Sequence, residues 1–111
     1  MGNSDELIDK ETRDDFVNSL GIEKFKTYND MYFKKMDTEL PNLMSLIDSK
    51  DFASIKKLSH SIKGLSYNLG YSYIGEKLET IEKCSKNETE IPEDLVKEVL
   101  NAYERMKSLD L

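Results

Sequence analysis

His60 is the only histidine in a chain of 111 residues, and it lies in the run Leu58-Ser59-His60-Ser61-Ile62-Lys63-Gly64-Leu65-Ser66-Tyr67-Asn68-Leu69-Gly70. Phe52, Ile55, Leu58, Ile62, Leu65 and Leu69 recur at intervals of three and four, which marks one apolar face of a helix. At about 100° per residue these six lie within roughly 80° of Ile62, whereas His60 falls near about 160° and Gly64 near about 200°. Lys56, Lys63 and Tyr67 flank the histidine at roughly 100–140°. The spacing predicts an imidazole presented to water from the middle of a helix. Glycine inside a helix costs roughly 0.5–1 kcal/mol, so Gly64 fits a surface that a partner must approach closely.

The chemistry open to such a histidine is narrow. One His cannot build a multi-histidine zinc site, and Cys84 falls on the expected core face of another helix, so no metal centre is expected. A Cys–His nucleophile pair fails for the same reason, and no glycine-rich phosphate-binding loop is present. Imidazole titrates near pH 6.5 in water, which leaves a neutral ring nitrogen available for proton transfer or for nucleophilic attack. Such a nitrogen can attack phosphorus and carry a phosphoryl group. Lys63, one turn on, can offset the incoming charge, and Gly64 can admit the partner's active site.

The elements that must position these residues read as helices throughout. A short helix is expected from about Glu11 to Leu20, with Phe16, Val17 and Leu20 inward and Gly21 as its stop. A second starts near Ile22 and carries Phe25, Tyr28, Tyr32, Met36, Leu40, Leu43 and Ile47, with a kink or short break expected at Pro41. Asp51 suits the N-cap of the His60 helix, which should end around Asn68 to Gly70. Ser72 can cap a fourth helix with Ile74, Leu78, Ile81 and Cys84 inward. Pro92 fits as the first residue of a fifth, which carries Leu95, Val96, Val99, Leu100, Tyr103 and Met106. The expected fold is all-α: an antiparallel up-and-down four-helix bundle, with the short additional N-terminal helix capping one end. Residues 1–10 are expected to be a flexible N-terminal segment and 11–111 the domain.

Composition narrows the function classes. Hydrophobic residues make up 38% and charged residues 34%, which suits a water-soluble helical domain. A net charge of −6 argues against nucleic acid as the main partner, and no apolar run is long enough for a membrane span. The polar, acidic start Met1-Gly2-Asn3-Ser4-Asp5-Glu6 is not expected to act as a signal peptide, and Glu6 breaks the myristoylation pattern. A single cysteine points to a reducing, cytoplasmic setting. Between Asp51 and Glu76 there is no acidic residue, while Lys56, Lys57 and Lys63 lie on or beside the His60 face. This local basic patch is either a docking surface for an anionic target or a solvated face with a chance charge imbalance.

The run His60-Ser61-Ile62-Lys63-Gly64, followed by Ser66, Asn68, Leu69 and Gly70, resembles the signature of histidine-containing phosphotransfer (HPt) domains, and Leu78-Glu79 falls where that family tends to carry a Leu-Glu pair. The resemblance extends from about residue 11 to 109. It implies a four-helix phosphoryl carrier in a two-component phosphorelay. His60 would take the group from the phosphoaspartate of a response-regulator receiver domain and pass it to another. The receiver would supply the Mg²⁺ and the aspartate, so no cofactor of the chain's own and no kinase activity are implied. Lys63 would meet the phosphoryl group, Gly64 would give access, and Lys56, Lys57 and Tyr67 would contact the receiver. The expected partners are receiver domains or a hybrid sensor histidine kinase, with the chain itself a monomer.

Two features depart from the family pattern. Leu65 stands where many relatives have a small residue, and Tyr67 and Tyr71 are bulkier than that pattern leads one to expect. The His-Ser-Ile-Lys-Gly wording is also similar to the phosphotransfer domain of chemotaxis histidine kinases, which takes its phosphoryl group from an ATP-binding domain. A helical interaction module without phosphoryl transfer is the remaining alternative. Ser61 stands where the histidine of kinase dimerisation helices usually has an acidic neighbour.

Overall fold

The computed structural model describes residues 7–109. Among them are five helices and no strand: α1 (Lys10–Leu20), α2 (Ile22–Asp48), α3 (Phe52–Asn68), α4 (Ser72–Lys86) and α5 (Glu93–Lys107). α2 packs on α3 and α5, α4 lies against both α3 and α5, and α1 rests on α2 and α3. Met36, Leu43, Ile55, Ile62, Ile74, Leu78, Ile81 and Val99 are fully buried at the centre. Each comes from the apolar stripe of its helix.

Most boundaries follow from local chemistry. Asp9 caps α1, its Oδ1 accepting from the Glu11 and Thr12 amides at 3.1 and 3.4 Å. Gly21 ends α1 at φ 91°, where a side chain would be strained. Asp51 caps α3 as expected, accepting from the Ser54 amide at 3.3 Å. Two boundaries differ from expectation. Ser72 is the first residue of α4 and not its cap; Tyr71 holds that position without a side-chain hydrogen bond. Pro92 is the N-cap of α5 with ψ 137°, so Glu93 is the first helical residue.

α2 runs unbroken through Pro41, so the expected break is absent. The proline still removes an amide donor and crowds the turn at Asp37, four residues back. α5 braces α2 at that turn. The Tyr103 hydroxyl lies 2.7 Å from Asp37 Oδ1 and 2.9 Å from the Phe33 carbonyl, and Lys107 Nζ lies 3.3 Å from the same Asp37 oxygen.

The end of α3 is a glycine turn. The Gly70 amide donates to the Tyr67 carbonyl and the Tyr71 amide to the Ser66 carbonyl, with Gly70 at φ 84°. The N-terminal segment docks on this turn. The Asp9 amide donates to the Gly70 carbonyl at 2.6 Å, and the Arg13 guanidinium donates to the Leu69 carbonyl while lying 4.7 Å from both the Phe25 and Tyr71 rings. Of the segment expected to be flexible, residues 1–6 lie outside the described residues, while Leu7 and Ile8 are buried against the bundle. Their burial has the same physical source as any core residue: two apolar side chains next to an anchored backbone.

Three residues expected to face inward are exposed: Leu20 (49%), Tyr28 (46%) and Leu100 (39%). Each lies at the margin of an apolar stripe, where the turn of the helix carries it past the contact with its neighbour. Conversely, Ser59 and Ser66 are buried within α3, a placement the polarity of serine hides. Their hydroxyls donate to the carbonyls of Ile55 and Ile62, at 2.7 and 2.8 Å. Ser66 also pairs with the buried Tyr32 hydroxyl at 2.8 Å.

Candidate functional site

His60 projects from the middle of α3, with its side chain 68% exposed. Ile55, Ser59, Ile62 and Ser66 bury the opposite face of the helix, which fixes its rotation and so the direction of the imidazole. Gly64, one turn on, faces open space: a Cβ built there meets no atom within 4 Å. The glycine therefore answers no internal packing need.

The imidazole does not stand alone. Nδ1 lies 2.9 Å from Oε2 of Glu82 on α4, and Lys63 Nζ lies 2.8 Å from Oε1 of the same carboxylate. Burial disfavours ionisation of Glu82, yet the hydrogen bonds from Lys63 and His60 outweigh it and hold the carboxyl below its ordinary value of 4.5. An ionised carboxylate only accepts, so Nδ1 is the protonated nitrogen in this contact. When the ring is neutral, Nε2 carries the free lone pair.

Glu82 is the residue of this candidate site that sequence reasoning missed. A signal was present: Glu79 and Glu82 each follow a buried apolar residue of α4, Leu78 and Ile81, which puts them at the border of the stripe facing α3. The other expected site residues divide. Lys63 is brought to the site, but its ammonium is bound to Glu82 and its side chain is only 19% exposed. Lys56 and Lys57 are exposed, with no ion pair among the described residues.

Tyr67, expected on the open face, is half-buried. Its ring covers Gly75 of α4 so closely that a Cβ there would lie 2.9 Å from Tyr67 Cε1. Its hydroxyl donates to Glu79 Oε1 at 2.9 Å; burial and that contact push its pKa up to about 12. Tyr71 is fully buried and stacked on Tyr32, 5.1 Å between centroids, so its bulk does not reach the His60 face. Leu65, likewise, packs against the core.

The two flanks of the His60 face differ. On one side α4 brings Glu82 to Lys63 and Glu79 to Tyr67, so the basic patch is offset there by charges remote in sequence. On the other side lies an open apolar groove of about 780 Å³ between α1, α2 and α3. Phe16, Leu20, Tyr28, Met31 and Leu65 are among its walls, which is where the exposed Leu20 and Tyr28 belong. No group of three or more His, Cys, Asp or Glu side chains suited to a metal ion occurs among the described residues. Nor is any described helix long and apolar enough to cross a membrane.

Comparison with known proteins matches the chain to a family profile. No curated protein and no solved structure matches the chain. The Hpt domain family profile matches residues 28–109, from the second turn of α2 to the end of α5, and so includes His60, Lys63, Gly64 and Glu82 while leaving out α1. A solvent-facing histidine on a bundle helix, oriented by a carboxylate and beside an open glycine, lies within that match, and the chain belongs to the Hpt family, the phosphotransfer domains of two-component signalling.

Proposed function

We propose that this protein is a phosphoryl carrier that takes the group from the phosphoaspartate of a receiver domain onto His60 Nε2 and passes it to another receiver. The observation that carries the reading is the shared carboxylate. With Glu82 accepting from Nδ1, the Nε2 lone pair is directed outward, away from α4. In the transfer the P–N bond forms at Nε2 as the P–O bond to the receiver's aspartate breaks, and the aspartate carboxylate leaves with the electron pair. The Nδ1 proton stays in place, and Glu82 stabilises the positive charge that develops on the ring. The receiver supplies the Mg²⁺. Positioning and electrostatics dominate phosphoryl transfer, so the chain needs no cofactor or ATP site of its own.

The same reading takes the bundle as antiparallel and up-and-down, with α1 across one end, because the short connections at Ser49–Asp51 and Leu69–Tyr71 return each helix beside its predecessor. The receiver approaches over Gly64. The groove walled by Leu20, Tyr28 and Met31 borders that open flank and is the surface a receiver's apolar side chains would cover. Lys57 lies on this flank, while Lys56 and Tyr67 border the acidic one. We place the carrier in the cytoplasm as a monomer, in keeping with its single cysteine.

The test is incubation with a phosphorylated receiver. The expected product is an acid-labile, base-stable label that disappears in His60→Gln while the helical circular dichroism spectrum is kept. A label that survives the substitution refutes the site. Labelling by an ATP-loaded kinase domain but by no receiver would point to the chemotaxis-type arrangement, and no labelling by either to a non-catalytic interaction module.

A further inference from the structure

Lys63 is the cation expected to meet the phosphoryl group, yet its ammonium is committed elsewhere. It lies 2.8 Å from Glu82 Oε1, on the α4 side of the histidine. Nδ1 is turned to the same side by Glu82 Oε2. The two ring nitrogens of imidazole point to opposite edges, so Nε2 faces away from Lys63. Helical geometry then decides which cation remains. At about 100° per residue, Lys57 and Lys63 stand at roughly 60° to either side of His60, and Gly64 lies roughly 40° round on the Lys57 side. Lys56 lies roughly 40° round towards α4. Helical side chains also lean towards the N-terminus, which carries the imidazole over the turn that holds Lys57 and not over the turn that holds Lys63.

We propose that Lys57 is the cation that neutralises the phosphoryl group on His60 Nε2, and that Lys63 serves instead to hold Glu82 ionised and in place. The assignment rests on the carrier reading. Lys57 is exposed, without an ion pair among the described residues, and on the flank that Gly64 leaves open. It can therefore swing to the phosphoryl oxygens without breaking an existing contact. Lys63 would have to leave Glu82 and so release the group that orients the ring.

The test needs no receiver. Phosphoramidate serves as a small phosphoryl donor: Nε2 attacks phosphorus, the P–N bond to the donor breaks, and ammonia leaves. The second ionisation of the resulting phosphohistidine is then followed by ³¹P NMR. Lys57→Gln is expected to raise it by roughly 0.2–0.6 of a pH unit, the size of an exposed ion pair. Lys57→Arg should keep the wild-type value, and 1 M salt should erase the difference. Lys63→Gln acts only by uncovering the Glu82 carboxylate, so the double variant Lys63→Gln, Glu82→Gln should return this ionisation to the wild-type value, whereas Lys57→Gln should keep its shift in that background. A shift in Lys63→Gln or Lys56→Gln with none in Lys57→Gln overturns the assignment. A protein that labels with phosphoramidate but exchanges with no receiver refutes the carrier reading, and the titration still decides the lysine. Failure of His60 to label at all sinks both.

Discussion

Replacing Glu82 with alanine should slow phosphorylation of His60 about fivefold. The carboxylate makes two contacts, 2.9 Å to His60 Nδ1 and 2.8 Å to Lys63 Nζ. Hydrogen bonds to charged groups contribute roughly 1.5–3 kcal/mol when well shielded, and exposed ion pairs roughly 0.2–1 kcal/mol. Glu82 itself is only 18% exposed but its histidine partner is 68% exposed, so the contact to the ring belongs near the boundary, about 1 kcal/mol. If that energy is spent on holding the proton at Nδ1 and the ring in one orientation, its loss raises the barrier by the same amount, or about fivefold in rate. The assay is the initial rate of labelling by phosphoramidate, with ¹⁵N NMR of the imidazole reporting which nitrogen carries the proton. Glu82→Gln should fall between alanine and wild type, because an amide oxygen still accepts from Nδ1 but carries no charge. A folded Glu82→Ala protein with an unchanged rate and an unchanged tautomer ratio would refute the reasoning.

Three further outcomes are expected. Gly75→Ala should destabilise the domain by about 1–3 kcal/mol, because the new Cβ lies 2.9 Å from the Tyr67 ring; thermal unfolding of this variant beside Tyr67→Ala, Gly75→Ala checks whether that ring is the cause. Met31→Glu, in the exposed groove, should weaken receiver binding about tenfold or more by calorimetry, since a buried methionine contributes roughly 1.5–3 kcal/mol, while labelling by phosphoramidate stays at the wild-type rate. Glu82 ionises below its ordinary value of 4.5 in the folded protein, so its stabilising contribution is present above that pH and lost as pH falls through the lowered value. The gap in unfolding temperature between wild type and Glu82→Gln should therefore persist from pH 7 to 5 and close as the pH falls past 4.5 through the lowered value.

Periodicity alone located the helices and the direction of His60, because one buried stripe per helix fixes its rotation. The same rule erred at Leu20, Tyr28 and Leu100, where an apolar residue at the edge of a stripe meets no neighbour and reads like core. The candidate site was legible on α3, where His60, Lys63 and Gly64 lie within five residues. Its other half was not. Glu82 follows His60 by 22 residues on a different helix, and only the packing of α3 on α4 reveals that one carboxylate serves both His60 and Lys63. The partner of Tyr67 was hidden likewise, since Gly75 looks like any helix glycine until the ring is seen above it.

The docking of Asp9 and Arg13 on the Leu69–Gly70 turn has a consequence for anything joined ahead of Leu7. The turn closes the histidine helix ten residues beyond His60, roughly 15 Å along the axis at 1.5 Å per residue. Because the entering segment is pinned there, a receiver tethered upstream would be anchored at about that distance from the imidazole. A short flexible tether would keep it at millimolar local concentration. Loosening the pin, as Arg13→Ala would do, lengthens the effective tether and dilutes a fused receiver without altering any group that touches phosphorus.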